Sequence, residues 1–283
     1  MSHKRCNQVL SNLPTRILSI GVIGTSRIFL HEPLQSAVGR YAALSYCWGK
    51  SKNIRTTKSN FKTMKIGFTL KNLPRTMQDT IYIAWRLGIR YIWIDSLCII
   101  QDSALDWELK SFRMASIYQN AFITIAAVAS PSATIGILGL THGKTGRCPL
   151  ALDWSTDDGC QTLVKARELD PAQHSSVVSN SLLRTRGWAL QKEILSTRLI
   201  SFCSGELEWK CIETQTCKCH YAEVALADSH SSLQCLRAPR DAFEAWRSIV
   251  QTYSRRNLTN LHDRLPASWK ELFRSCQEGM DST

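Results

Sequence analysis

The stretch from Tyr91 to Ala129, YIWIDSLCIIQDSALDWELKSFRMASIYQNAFITIAAVA, leaves the chain few folding options. Tyr91 to Ile94 is an apolar run too short for a helix and rich in aromatic and β-branched residues, which reads as a strand buried on both faces. Asp95 closes the run. A helical period follows from Ser103, with Trp107, Met114, Ile117, Tyr118 and Ala121 near one face and Asp106, Glu108, Lys110 and Arg113 mostly on the other. Phe122 to Val128 reads as the next strand. Strand, helix and strand in this order make a βαβ unit with parallel strands and a right-handed crossover. Asp95, Ser96, Cys98, Gln101 and Asp102 fall just past the carboxyl end of its first strand, where open α/β sheets hold their ligands.

The flanking sequence extends this unit. Residues 13–31 predict two short strands around the Gly21 to Ser26 turn region, a hairpin. Tyr41 to Tyr46, YAALSY, is another short strand, ending in Cys47, Trp48 and Gly49. Leu73-Pro74-Arg75-Thr76 opens a helix with an inner stripe of Met77, Ile81, Ala84 and Trp85, and Gly88 ends it. Trp188 to Leu195 predicts a short helix, and Leu199–Phe202 with Leu207–Trp209 a second hairpin about Ser204-Gly205. The expected fold class is therefore α/β: a small, mainly parallel sheet flanked by helices, with added β-hairpins and a helical C-terminal region.

The chain divides, on this reading, into an N-terminal hairpin extension at 1–40, a main domain at 41–211 with an irregular insertion near 143–181, and a helical region at 212–283. The insertion is polar and carries turn signals at Asp157-Asp158-Gly159 and Asp170-Pro171.

Charge is unevenly spread. The net charge is +12, yet the first 75 residues hold 13 Lys/Arg and the single acid Glu32, while the remaining 208 hold 22 bases and 22 acids. Eight of those bases lie between Lys50 and Arg75, which reads as a long exposed basic loop. Without aromatics alternating with the charges it makes a poor platform for nucleic acid. The eleven cysteines have scattered spacings and no secretion signal precedes them, so free thiols in a reducing, cytoplasmic setting are expected. Ala121 to Thr141 is uncharged, but Pro131 and the glycines near it favour a buried strand and a loop over a membrane span. No Gly-rich phosphate loop is present.

Three blocks resemble the fungal heterokaryon incompatibility (HET) domain: YAALSYCWG at 41–49, the IWIDSLCII to ITIAA block at 92–127, and LRTRGWALQKEILSTRLISF at 183–202. LPTRILSIG at 13–21 and YSRRNLTNLHDRLPA at 253–267 resemble the segments that bracket that domain. The resemblance implies an intracellular protein of self/non-self recognition and programmed cell death. Its partners would be other chains of an incompatibility or signalling system, or further copies of itself. The chain ends soon after the DRLPA segment, as a shortened member would. A second resemblance is to TIR domains, with a flavodoxin-like core, which implies NAD as a substrate and no bound cofactor. The family pattern after the tryptophan is a Gln-Glu pair, whereas this chain reads Gln191-Lys192-Glu193, so a lysine stands where the resemblance implies the catalytic glutamate.

Several residues then become candidates. Glu193 could supply a carboxylate to a forming oxocarbenium ion, although one helical position rotates a side chain by about 100°. Asp95 and Asp102 suit ribose binding or charge placement in a cleft, or else cap the turn and helix that follow them. Cys98 is either a thiol nucleophile or core. Trp48, Gly49, Gln101, Trp188 and Gln191 complete the expected pocket, with Trp48 placed to stack on a base. No metal is expected. Cys211, Cys217, Cys219 and His220 form the alternative, a Zn²⁺ cluster of non-standard spacing.

Overall fold

The computed structural model describes residues 10–257 and Cys6, apart from 26, 51–52, 139–149, 156–160, 167–180, 205–206, 212–213 and 218–241. Its core is an eight-stranded mixed sheet. Four central strands are parallel: β5 (Tyr41–Ser45), β6 (Tyr91–Trp93), β7 (Ile123–Ala126) and β10 (Arg198–Phe202). β2 (Ile17–Ser19) and β3 (Phe29–His31) extend it antiparallel beside β6, and β11 (Leu207–Cys211) and β12 (Gln215–Cys217) beside β10. The spatial order is β12-β11-β10-β7-β5-β6-β2-β3. β1 (Ser11–Asn12) and β4 (Val38–Gly39) form a separate antiparallel pair.

β5 is buried at every position, as a strand covered on both faces must be. From β5 the chain crosses through α2 (Arg75–Arg86) to β6, then back past β5 through α3 (Asp95–Cys98), α4 (Ala104–Phe112) and α5 (Met114–Gln119) to β7. Right-handed crossovers running in opposite directions place their helices on opposite faces of the sheet. Alternation along β5 shows the second face: Tyr41 donates its hydroxyl to the Ile117 carbonyl of α5, and the facing Trp93 packs edge-on against Tyr118 at 5.6 Å. α6 (Gly187–Leu195) joins α5 there, and Ser196 at its end donates to Thr124 of β7 at 2.7 Å. α7 (Ala242–Ser254) closes against α6 through Ile249, Leu190 and Ile194.

Several expectations need correction. The basic stretch from Lys50 to Arg75 is not a featureless loop: it holds α1 (Phe61–Ile66), a 3₁₀ turn at Leu70–Asn72, and buried Thr56 and Met64. Thr56 donates to the Leu97 carbonyl, and its backbone exchanges bonds with Ser96 and Gln101, so the segment is stitched to the loop after β6. The helix expected from Ser103 breaks at Arg113 (φ −88°, ψ 0°) into α4 and α5, and its α4 part turns the other way about. Lys110 is buried and donates to Thr15, and Asp106 is ion-paired to Arg16, while Leu105, Leu109 and Phe112 face outward. Polar partners from the N-terminal segment decide that orientation, and no helical period shows them.

The N-terminal hairpin is no appendage, because β2 pairs directly with β6. The boundary placed at 211 cuts the sheet, since β12 continues it to Cys217. Within the supposedly irregular 143–181 insertion, β8 (Leu150–Ser155) and β9 (Gln161–Ala166) pair as an antiparallel hairpin. Cys217 is disulfide-bonded, against the expectation of free thiols, whereas Cys47, Cys98 and Cys203 are free. Bridging needs two Cα atoms within about 7 Å, a tertiary property that spacing does not reveal. Among the described residues no helix is long and apolar enough to cross a membrane.

Candidate functional site

β5 sends its connection toward β6 and its other neighbour β7 sends its own the opposite way to β10, so the topological switch point falls between β5 and β7, at the carboxyl end of β5. A cavity of about 310 Å³ opens there. Ser45, Tyr46 and Trp48 come from the end of β5, and Asp95, Ile99 and Gln101 from the turn after β6. Trp107, Ser111 and Met114 of α4 and α5 form one wall, and Leu183, Arg186, Trp188, Ala189 and Lys192 in and before α6 the other. Mixed apolar and polar lining at a strand edge is the usual make-up of a small-molecule site.

Asp95 sits at the floor because β6 ends there and a single helical turn begins at once. Its Oδ1 accepts the Ser96 N–H at 2.8 Å and the Trp48 indole N–H at 3.2 Å, and its Oδ2 accepts Lys192 Nζ at 2.9 Å. The Lys192 side chain is only 7% exposed, and its ammonium also lies 5.3 Å from the centre of the Tyr118 ring. The carboxylate thus accepts on both oxygens and is neutralised across 97 residues of sequence. Tyr46 donates to Ser96 Oγ at 2.8 Å, and burial together with the nearby Asp95 charge holds its phenol well above its ordinary pKa. It is a neutral donor at neutral pH.

The predicted site residues separate into two groups. Trp48, Asp95, Gln101 and Trp188 meet in the cavity, with Lys192 between them. Gln101 donates its amide to the Asp95 and Ile99 carbonyls at 3.1 and 3.0 Å, which braces the turn that carries Asp95. Cys98 is outside the cavity and fully buried, and burial pushes its thiol up to about 12, a core residue and a poor nucleophile. Gly49 has φ +76° and its Cα lies against Ser132, where any side chain would collide, so a glycine is required beside the cavity without lining it. Asp102 accepts the Lys58 backbone N–H at 2.8 Å, fastening the basic segment, while Ser103 caps α4 by accepting from Asp106 N. Gln191, next to Lys192, is 2% exposed and its amide has no hydrogen-bond partner among the described residues.

Glu193 points away from the cavity. Its carboxylate lies 3.8 Å from Lys210 of β11 and 3.9 Å from Arg256, and although burial alone would raise its pKa, Lys210, Arg184 and Arg256 hold it below the ordinary glutamate value. Adjacent positions on α6 therefore serve different jobs: Lys192 faces the sheet edge, Glu193 ties the helix to β11 and to the segment after α7. That segment also pairs with the start of α6, where Gly187 N–H donates to the Asn257 carbonyl at 3.0 Å. Of the alternative zinc ligands, Cys211 is buried at the end of β11, Cys217 is disulfide-bonded, and Cys219 and His220 lie outside the described residues. Among the described residues no three His, Cys, Asp or Glu side chains converge as a metal site would need.

Sequence reading missed Arg186, Tyr46 and Trp107 as cavity residues. The one signal for Arg186 was its place directly before Gly187-Trp188, at the mouth of the helix already singled out.

A fold with a parallel sheet, a cleft at its switch point and a Trp-bearing helix closing that cleft defines an α/β domain built around one polar edge. The family described as "Heterokaryon incompatibility protein (HET)" matches residues 41–192, more than half of the chain, and the chain belongs to that family. The match begins with β5 and ends at Lys192, so it takes in every described residue that lines the cavity. No curated protein and no solved structure shows a significant match.

Proposed function

We propose that this chain is a fungal HET-domain module of self/non-self recognition leading to cell death. It would act in the cytoplasm through contacts with other chains of an incompatibility system or with copies of itself, and its cleft would not cleave NAD. The Lys192–Asp95 ion pair carries the second part of this reading. Breaking a nicotinamide–ribose bond builds positive charge at the anomeric carbon, and a carboxylate aimed at that carbon lowers the barrier. Among the described residues Asp95 is the one carboxylate lining the cavity, and Lys192 neutralises it at 2.9 Å. Glu193, the nearest substitute, is turned into the Lys210 and Arg256 cluster.

The test compares purified wild type, Lys192→Glu and Glu193→Ala at high concentration with NAD, alongside toxicity on expression in a fungal cell. Loss of one preorganised electrostatic group removes ~10²–10³ in rate. Wild type should stay at background, and Lys192→Glu should raise both NAD loss and toxicity. Robust wild-type NAD loss that disappears in Glu193→Ala would overturn this reading in favour of a TIR-like hydrolase.

A further inference from the structure

Arg186 leaves the cavity with an uncompensated charge. The Asp95 carboxylate is taken up by Lys192, and among the described residues no carboxylate forms an ion pair with Arg186. The guanidinium reaches the Cys47 thiol. Burial pushes that thiol's pKa up, so it is neutral and does not balance the charge. A half-buried guanidinium has five donors, and its planar fork matches carboxylate or phosphate oxygens. The remaining walls are aromatic: the indoles of Trp48, Trp107 and Trp188 border the same space, and Trp48 is held by its N–H bond to Asp95. Indole faces offer flat apolar surfaces to another ring. At about 310 Å³ the space is at the small end of ligand sites, which run from roughly 300 to 1,000 Å³, enough for one ring system with one anionic group.

We propose that the cavity is a binding site for a small planar organic anion, an aromatic ring system carrying a phosphate or a carboxylate, with Arg186 as the anchor for the anionic group and the tryptophans as walls for the ring. This extends the reading of the cleft as catalytically quiet, since Asp95 is occupied while Arg186 is available. Binding is measured separately from NAD turnover, so either idea can fail alone.

The experiment titrates the full chain by tryptophan fluorescence and calorimetry with AMP as the phosphate source and 1-naphthoate as the carboxylate source. Adenosine and inorganic phosphate serve as the half-ligands. At least one of the two ring anions should bind ten-fold or more tightly than both half-ligands, and whichever of the two is preferred assigns the anionic group. Arg186→Gln should weaken that binding at least ten-fold, and Arg186→Lys should weaken it less. Trp107, exposed at the rim, can be replaced without disturbing the core, and Trp107→Ala should weaken ring-anion binding about three-fold or more. Equal, millimolar-or-weaker binding of all four compounds would overturn the proposal, as would a folded Arg186→Gln variant with wild-type affinity. Should Arg186→Gln fail to fold, unchanged affinity in Trp107→Ala would overturn it.

Discussion

Asp95 and Asp106 lie eleven positions apart on either side of the turn after β6, and each is paired to a buried cation from a distant part of the chain, but the two pairs are built differently. Asp106 accepts both terminal guanidinium nitrogens of Arg16 at 2.8 and 3.0 Å and the Ile100 N–H at 2.7 Å, while Arg16 also donates to the Cys98 carbonyl at 3.0 Å and stacks on Phe61. Neither residue lines the cavity at the end of β5. Asp95 makes a single bond to a lysine, and that pair forms the floor of a cavity. A bidentate, enclosed pair fastens elements together, whereas a single-point pair beside open space can be rearranged. The first staples β2 and α4 to the turn, and the second sets the charge of a site.

Breaking the staple should have the largest effect. Arg16→Met leaves the Asp106 carboxylate, 14% exposed, without its bidentate partner and is expected to cost about 3–5 kcal/mol in urea unfolding. A loss below about 1 kcal/mol would remove the distinction between the two pairs. Asp95→Asn should cost less, about 1–3 kcal/mol, because Lys192 keeps the Tyr118 ring and a path to the cavity. The double variant Asp95→Asn, Lys192→Met should recover most of that loss, since removing both partners leaves no stranded charge. A double variant less stable than either single one would show that the cavity floor depends on the pair as strongly as the turn depends on Arg16.

Acid sharpens the same contrast. Burial alone would raise the Asp106 pKa, but Arg16, the Ile100 N–H and Lys110 bring it below the ordinary aspartate value. A depressed folded-state pKa contributes stability that is fully present above the unfolded value, about 3.9, and is lost as pH falls through the folded value. Wild type should therefore lose more stability than Arg16→Met between about pH 5 and pH 2, measured by urea midpoints across that range. Parallel acid profiles would mean that Arg16 does not set the Asp106 titration. The smallest expected effect is at Glu193, whose ion pairs span 3.8 and 3.9 Å: Glu193→Gln should shift stability by no more than about 1 kcal/mol. A larger loss would place the α6–β11 contact among the fold's main fasteners.

The contrast also marks what can be read from a linear chain. The β6–α4–β7 region was legible because each strand is a short run of aromatic and β-branched residues, and both faces of a central parallel strand must be apolar. The hairpin at 17–31 was legible from its turn region, and the α2 helix from Pro74 and its apolar stripe. β12 was not, because three residues, Gln215-Thr216-Cys217, carry no period and gain their pairing from β11 alone. The orientation of α4 was misread because Asp106 and Lys110, polar by composition, face inward to Arg16 and Thr15, residues some ninety positions away. At the site, Trp48, Asp95, Gln101 and Trp188 were placed by the rule that strand ends collect ligand-binding loops. Arg186 escaped because only the packing of α6 against α5 brings the loop before α6 over the end of β5.

Sequence by itself determined the class of fold and the edge of the sheet where a site would form, because burial patterns and strand–helix order are properties of neighbouring residues. It also determined that a lysine, and not a glutamate, occupies position 192. The tertiary structure decided what that lysine does. Whether a charged side chain is a free ligand, a counter-ion or a fastener depends on which opposite charge lies within about 4 Å, and that distance is set by the packing of elements far apart in the chain. Lys192 meets Asp95, Glu193 meets Lys210 and Arg256, and Arg186 alone among the cations lining the cavity has no carboxylate among the described residues, because neighbouring positions of α6 face different parts of the fold and Arg186 stands just before its first turn.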